Sequence, residues 1–133
     1  MKSELEQNNC NEIHIKYDVE SKCTFVIALN TTYHKRGNGG TRMRQYSSVE
    51  EGIEDALRLA EAMTKKCVII GDENNGSYSG AKGVIIGNPK TKKTPQMLRN
   101  YGKFIQSLNG KFQTGCDMNI TPTDLEYMSA ETQ

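Results

Sequence analysis

The sequence predicts an α/β domain, a three-layer sandwich built on a mixed sheet. Three observations carry this. Apolar runs with the period of strands alternate along the chain with runs that have the period of helices. Two adjacent strand-like runs at residues 12–29 are joined by a short polar turn, as antiparallel neighbours are. Two Thr-Pro pairs open helical segments late in the chain.

At 133 residues the chain is sized for one core-bearing domain. Residues 1–11 are polar and Asn-rich and read as a disordered arm, so the folded unit is placed at 12–133. Glu12 to Tyr17 alternates polar and apolar, as a half-buried strand does. Cys23 to Leu29 is almost wholly apolar and rich in β-branched residues, which suits a central strand. Residues 30–47 lack periodicity and contain Gly37, Gly39 and Gly40, so a loop is expected. Ser48-Val49-Glu50-Glu51 has the spacing of a capping box. The helix it opens places Val49, Ile53, Ala56, Leu57, Ala60 and Met63 on one face. On the polar face Glu54 and Arg58 are spaced as an ion pair.

Cys67 to Ile70 reads as a strand, Gly71 to Gly80 as a polar loop, and Val84 to Ile86 as a second short strand closed by Gly87-Asn88-Pro89. Thr94-Pro95 starts a helix presenting Met97, Leu98, Tyr101, Phe104, Ile105 and Leu108 on one face. Asn109-Gly110 supplies its left-handed stop. Phe112 to Thr114 forms a last strand, and Thr121-Pro122 opens a final short helix.

Composition narrows the function. Seventeen basic and sixteen acidic residues are mixed along the chain for a net charge of +1, without the basic face a nucleic-acid binder needs. No apolar run approaches the roughly 20 residues that span a bilayer. The polar start Met1-Lys2-Ser3-Glu4 lacks the apolar core of a secretion signal. A cytoplasmic protein that binds neither nucleic acid nor membrane is expected. Cys10, Cys23, Cys67 and Cys116 show no paired spacing, so reduced thiols in or near the core are expected, and no metal site.

Three residues are candidates for chemistry. Lys66 falls at the expected end of the first helix, where an ammonium also complements the helix dipole. Lys82 is flanked by glycines in Ser79-Gly80-Ala81-Lys82-Gly83, and glycine lets a backbone or ligand come close. Partly buried beside a second cation, such a lysine loses its proton more easily and serves in acid–base chemistry. Asp117 follows a strand, at the end of an α/β sheet where ligands tend to meet the fold. Two glycine-rich stretches mislead. Gly37-Asn38-Gly39-Gly40 has the wrong spacing for a dinucleotide turn and lies too far from the next helix, and Gly76 to Gly83 has GAKG where a phosphate loop needs GK[ST].

Taken in order, Asn30-Thr31-Thr32, Gly39-Gly40-Thr41-Arg42-Met43, Asp55 to Ala60 and Met63-Thr64-Lys65-Lys66 resemble the glutamate/leucine/phenylalanine/valine dehydrogenase family. The likeness continues through Lys82 to Pro89, Tyr101 to Phe104, Ser107 to Gly110 and Thr114 to Pro122. It is nearest the bacterial leucine, phenylalanine and tryptophan dehydrogenases. The resemblance implies the N-terminal domain, which binds the amino acid and builds a homodimer or larger homo-oligomer. By that likeness Lys66 binds the substrate carboxylate. Lys82 activates water and polarises the substrate carbon, and Asp117 carries the proton to and from the amino group. Gly39, Gly40 and Met63 line the pocket.

The implied reaction is oxidative deamination of an aliphatic or aromatic L-amino acid to its 2-oxo acid. The resemblance implies the cofactor NAD(P), held by a Rossmann domain or a separate Rossmann-domain partner, since this chain carries no site for it. The segment between Lys66 and Lys82 is longer than the family's, and His34-Lys35-Arg36-Gly37-Asn38 is polar where the family is apolar. A stand-alone, non-catalytic module descended from such an enzyme is the alternative expectation. The hairpin at 12–29, with a β-rich edge to cover, is the expected dimer surface.

Overall fold

The computed structural model describes residues 10–30, 36–70 and 78–131, with the side chains of 65–70 and 78 outside the description. A mixed sheet lies between two helical layers. Strands β1 (Glu12–Asp18) and β2 (Cys23–Leu29) form the expected antiparallel hairpin, with Ile15 opposite Val26. Lys22 closes its turn in the left-handed region, at φ 59°. Strands β3 (Arg36–Asn38) and β4 (Thr41–Arg44) occupy the segment expected to be a loop. Both run parallel to β5 (Tyr78–Ile86), β3 along its first residues and β4 along its last. The sheet order is β1-β2-β5-β3-β6, with β4 also on β5 and β6 spanning Phe112–Gln113.

Side-chain alternation divides the core in two. Phe25, Ile27 and Leu29 on β2, with Ala81 and Ile85 on β5, face helix α3 (Pro95–Gln106) and helix α4 (Pro122–Ser129), following the short α2 (Pro89–Lys92). Phe25 packs edge-on to Tyr101, 5.2 Å between ring centres. Val26, Ala28 and Val84 point the other way, onto Ile53, Ala56, Leu57 and Ala60 of helix α1 (Val49–Ile70). These are the positions the helical period marked, and the sandwich has the three layers expected.

Several local expectations change. Helix α1 runs to Ile70, so Cys67–Ile70 is helix and not strand, and Lys66 lies within the helix and not at its end. The reason is propagation: β-branched residues lose only about 0.5 kcal/mol each in a helix already nucleated. Strand β5 begins at Tyr78, which places Lys82 at its centre and not before it. The capping box of α1 is half made: Ser48 accepts from the Glu51 amide, but the Glu51 carboxylate takes the Ser47 hydroxyl. Thr121 and Asp124 make the full reciprocal pair at α4. Arg58 bonds Asp55, not Glu54. The expected left-handed stop is present at Asn109 and Gly110, φ 54° and 80°.

The expected arm at 1–11 gives way at Cys10, which is buried against α1, and Asn11 donates its amide to the Leu29 carbonyl. Residues 1–9 lie outside the described residues. Cys23 is buried too, whereas Cys116 is exposed, away from the core position expected of it. Among the described residues no group of His, Cys, Asp or Glu could hold a metal, and no helix is long and apolar enough to cross a membrane.

Candidate active site

On the α1 face of the sheet, three elements bring charged side chains to one point. Lys82 projects from the centre of β5, opposite Ala28 of β2, and is 6% exposed. Its Nζ lies 3.0 Å from Oδ2 of Asp117. The Arg42 Nε, from β4, donates to that same oxygen at 2.7 Å. Burying an ammonium is tolerable only with a counter-charge, and Asp117 supplies it. Partial burial opposes the Asp117 charge, but the bonds from Lys82 and Arg42 prevail and hold its carboxyl below the usual range. Asp117 is therefore a carboxylate at neutral pH.

The backbone that carries Asp117 is pinned along β4. The Thr41 amide donates to the Gly115 carbonyl at 2.9 Å, and the Met43 amide to that of Met118 at 3.0 Å. Asn119, at φ 63°, returns a side-chain bond to the Met43 carbonyl. Behind the site, the buried Thr41 hydroxyl meets the Tyr101 hydroxyl at 2.8 Å and that of Thr114 at 2.6 Å, tying β4 and the Asp117 segment to α3. The arginine is held from its far side as well, its Nη1 lying 3.3 Å from Oδ2 of Asp55 on α1.

The glycines around Lys82 serve these approaches. A Cβ on Gly83 would stand 2.1 Å from the Tyr101 hydroxyl oxygen, and one on Gly80 2.1 Å from the Thr64 amide nitrogen. Gly80 therefore lets α1 settle on the sheet beside Lys82, and Gly83 admits the tyrosine. Both permit close approach of the protein to itself. Gly40 packs directly on Asp117, 3.1 Å from a built Cβ to that of the aspartate. A Cβ on Gly39 would reach 1.7 Å from the Ala81 carbonyl oxygen, so this glycine's place is fixed by the backbone it crosses, next to Lys82. Met63 sits half-buried on α1, one residue before Thr64.

The structure thus brings together Lys82, Asp117 and Gly40, with Gly39 adjoining. The Lys66 side chain lies outside the described residues. The residue types singled out from the sequence did not include Arg42 or Asp55. Both lie in stretches that carried the family resemblance, Gly39 to Met43 and Asp55 to Ala60, and that was the one available signal for them.

An α/β domain with a buried lysine and an aspartate clasped at the sheet, beside glycines that admit close neighbours, has relatives of known family. The family model described as Glu/Leu/Phe/Val dehydrogenase, dimerisation domain, matches residues 12–133. Phenylalanine dehydrogenase of Caldalkalibacillus thermarum is 45% identical over 107 residues, 80% of this chain and 28% of that protein. Leucine dehydrogenase of Geobacillus stearothermophilus is 39% identical over 128 residues, 96% and 34% of the two. The crystal structure of L-tryptophan dehydrogenase from Nostoc punctiforme superposes with a TM-score of 0.89 at 35% identity, covering 98% of this chain and 38% of that one. The chain belongs to the Glu/Leu/Phe/Val dehydrogenase family and carries its dimerisation domain. It spans about a third of the length of these relatives.

Proposed function

We propose that this chain is the substrate-binding and oligomerising domain of an NAD(P)-dependent dehydrogenase that oxidatively deaminates an aliphatic or aromatic L-amino acid. The observation that carries this reading is the shared Asp117 oxygen, bonded by Lys82 and Arg42 within a largely buried site. A carboxylate kept charged by two cations is a fixed counter-charge and hydrogen-bond acceptor for a substrate ammonium, whose proton it is assigned to carry. Lys82, 3.0 Å from Asp117, is assigned the activation of the water that attacks the substrate carbon. Lys66, on the helix that packs against β5, is assigned the substrate carboxylate. Gly39, Gly40 and Met63 are assigned the walls of the pocket.

The glycine-rich stretch at residues 37–40 does not fit a dinucleotide turn. Gly37-Asn38-Gly39-Gly40 runs from the end of β3 into the link to β4, opens no helix, and has the Ala81 carbonyl against Gly39. NAD(P) is therefore assigned to a nucleotide-binding domain or partner, and the part of this chain is confined to the substrate. Homodimerisation, or a larger homo-oligomer, is assigned to the β1–β2 hairpin, and the cytoplasm to the protein.

Calorimetric titration of the chain with aromatic and aliphatic L-amino acids and their 2-oxo acids tests the reading. Saturable binding that Lys66→Ala weakens at least about tenfold, as loss of a charge-assisted bond does, is the expected result. Absence of binding by any of them would leave a non-catalytic module as the better description.

A further inference from the structure

The arginine that clasps Asp117 is itself clasped. Asp55, on α1 and 8% exposed, accepts at Oδ2 from the Tyr46 hydroxyl and from Arg42 Nη1 at 3.3 Å, and at Oδ1 from Arg58 Nη2 at 2.5 Å. Hydrogen bonds from Tyr46 and Arg58, with the Arg42 charge, overcome burial and keep it ionised. A guanidinium is a rigid planar fork, so two carboxylates bonded at different nitrogens fix its plane as well as its place. Arg42 has Asp117 on Nε and Asp55 on Nη1, one from the sheet side and one from the helix. Arg42 enters the site from β4, in register with Val84, whereas α1 contributes Asp55 from across the layer.

We propose that Asp55 is a positioning residue for Asp117: by fixing the Arg42 guanidinium, it fixes the carboxylate that carries the proton. Tyr46 and Arg58 in turn hold Asp55. The helical layer thereby sets the geometry of a residue on the sheet. This inference rests on the proton-carrying role proposed for Asp117, but the positional claim has a test that needs no substrate.

The test is the carboxyl titration of Asp117, read by carbon-13 NMR in the chain and in its variants. Two effects of Asp55→Ala have opposite signs. Deleting a nearby negative charge, alone, lowers the Asp117 midpoint. Releasing Arg42 from its alignment weakens a bond to the charged form and raises it. A rise of roughly half to one pH unit is expected for Asp55→Ala, and none beyond that of Arg42→Gln when the two are combined. Tyr46→Phe loosens Asp55 without changing any charge and keeps the packing, so it serves if Asp55→Ala does not fold. A smaller rise in the same direction is expected from it. A fall in the midpoint for Asp55→Ala, or an unmoved midpoint for Tyr46→Phe, would overturn the proposal, even if both variants lost stability. If no amino or oxo acid binds the chain, the dehydrogenase reading fails, while the direction of the Asp117 shift still decides the role of Asp55.

Discussion

Single atoms decide much of this site. Gly83 illustrates it: the hydroxyl of Tyr101 occupies the space where any other residue would place its Cβ, with Thr41 Oγ1 only 2.8 Å away. Tyr101 is wholly buried, with Phe25 edge-on to its ring and Phe104 tilted against it, so it cannot withdraw cheaply. Gly83→Ala is expected to destabilise the domain by about 1–3 kcal/mol, as overpacking does, measured by urea unfolding. An unchanged midpoint would mean that the tyrosine is not held as described. From the sequence, Gly83 was marked only as a place of close approach. That the visitor is a side chain from α3 follows from a contact between residues far apart in the chain. The same distance in sequence explains Arg42 and Asp55, which look like ordinary surface charges until the fold sets each against a partner.

Among elements, those with strong local signals were legible. The β1–β2 hairpin, helices α3 and α4 with their threonine caps, and the apolar face of α1 stand where period and capping chemistry put them. Strands β3 and β4 were not legible, because three- and four-residue strands rich in glycine and arginine have no period to read. They exist because the parallel edge of β5 offers them hydrogen bonds. Strand β1 carries the element-level prediction. Ile15 and Tyr17, 46% and 55% exposed, share the face of Val26 and Ala28, beyond the reach of the helix that covers Ile13. An apolar sheet edge of this kind requires a cover. In sedimentation velocity the chain should run as a dimer, and Ile15→Lys with Tyr17→Lys should yield a monomer of unchanged circular dichroism. A dimer that survives both changes would move the interface elsewhere.

For the whole molecule, the charged network sets the response to pH. Asp55, Asp117 and Asp124 are each opposed by burial. Hydrogen bonds nevertheless hold them below their ordinary 3.8, from Tyr46 and Arg58, from Lys82 and Arg42, and from the Thr121 backbone and Lys93 respectively. A carboxyl more acidic in the folded than in the unfolded chain contributes stability that is complete above its unfolded pKa. That contribution is lost as pH falls through the lower folded value. Stability should therefore be level from about pH 8 down to about pH 5 and decline below 3.8, and Asp55→Ala should flatten that decline. At the alkaline end burial pushes the Cys10 thiol from 9.0 up to about 11, so the folded state loses ground as pH rises across that interval. Denaturant midpoints across the pH range measure both limbs. A decline at low pH as steep in Asp55→Ala as in the unchanged chain would count against the ion network.

Alone, the sequence determined the layers, the hairpin and the two capped helices, because each is written in neighbouring residues or short motifs, and it singled out Lys82 and Asp117 as candidates, which the fold sets 3.0 Å apart. Tertiary structure decided the rest: the length of α1 and β5, the parallel strands along β5, and the Arg42–Asp55 clasp. The physical reason is that the paired strands and the clasp depend on hydrogen bonds and charges between residues from 13 to 75 positions apart, and the length of α1 on propagation from a helix already nucleated. A local pattern records what a segment prefers, but a buried charge is stabilised only by the partner that the fold brings to it.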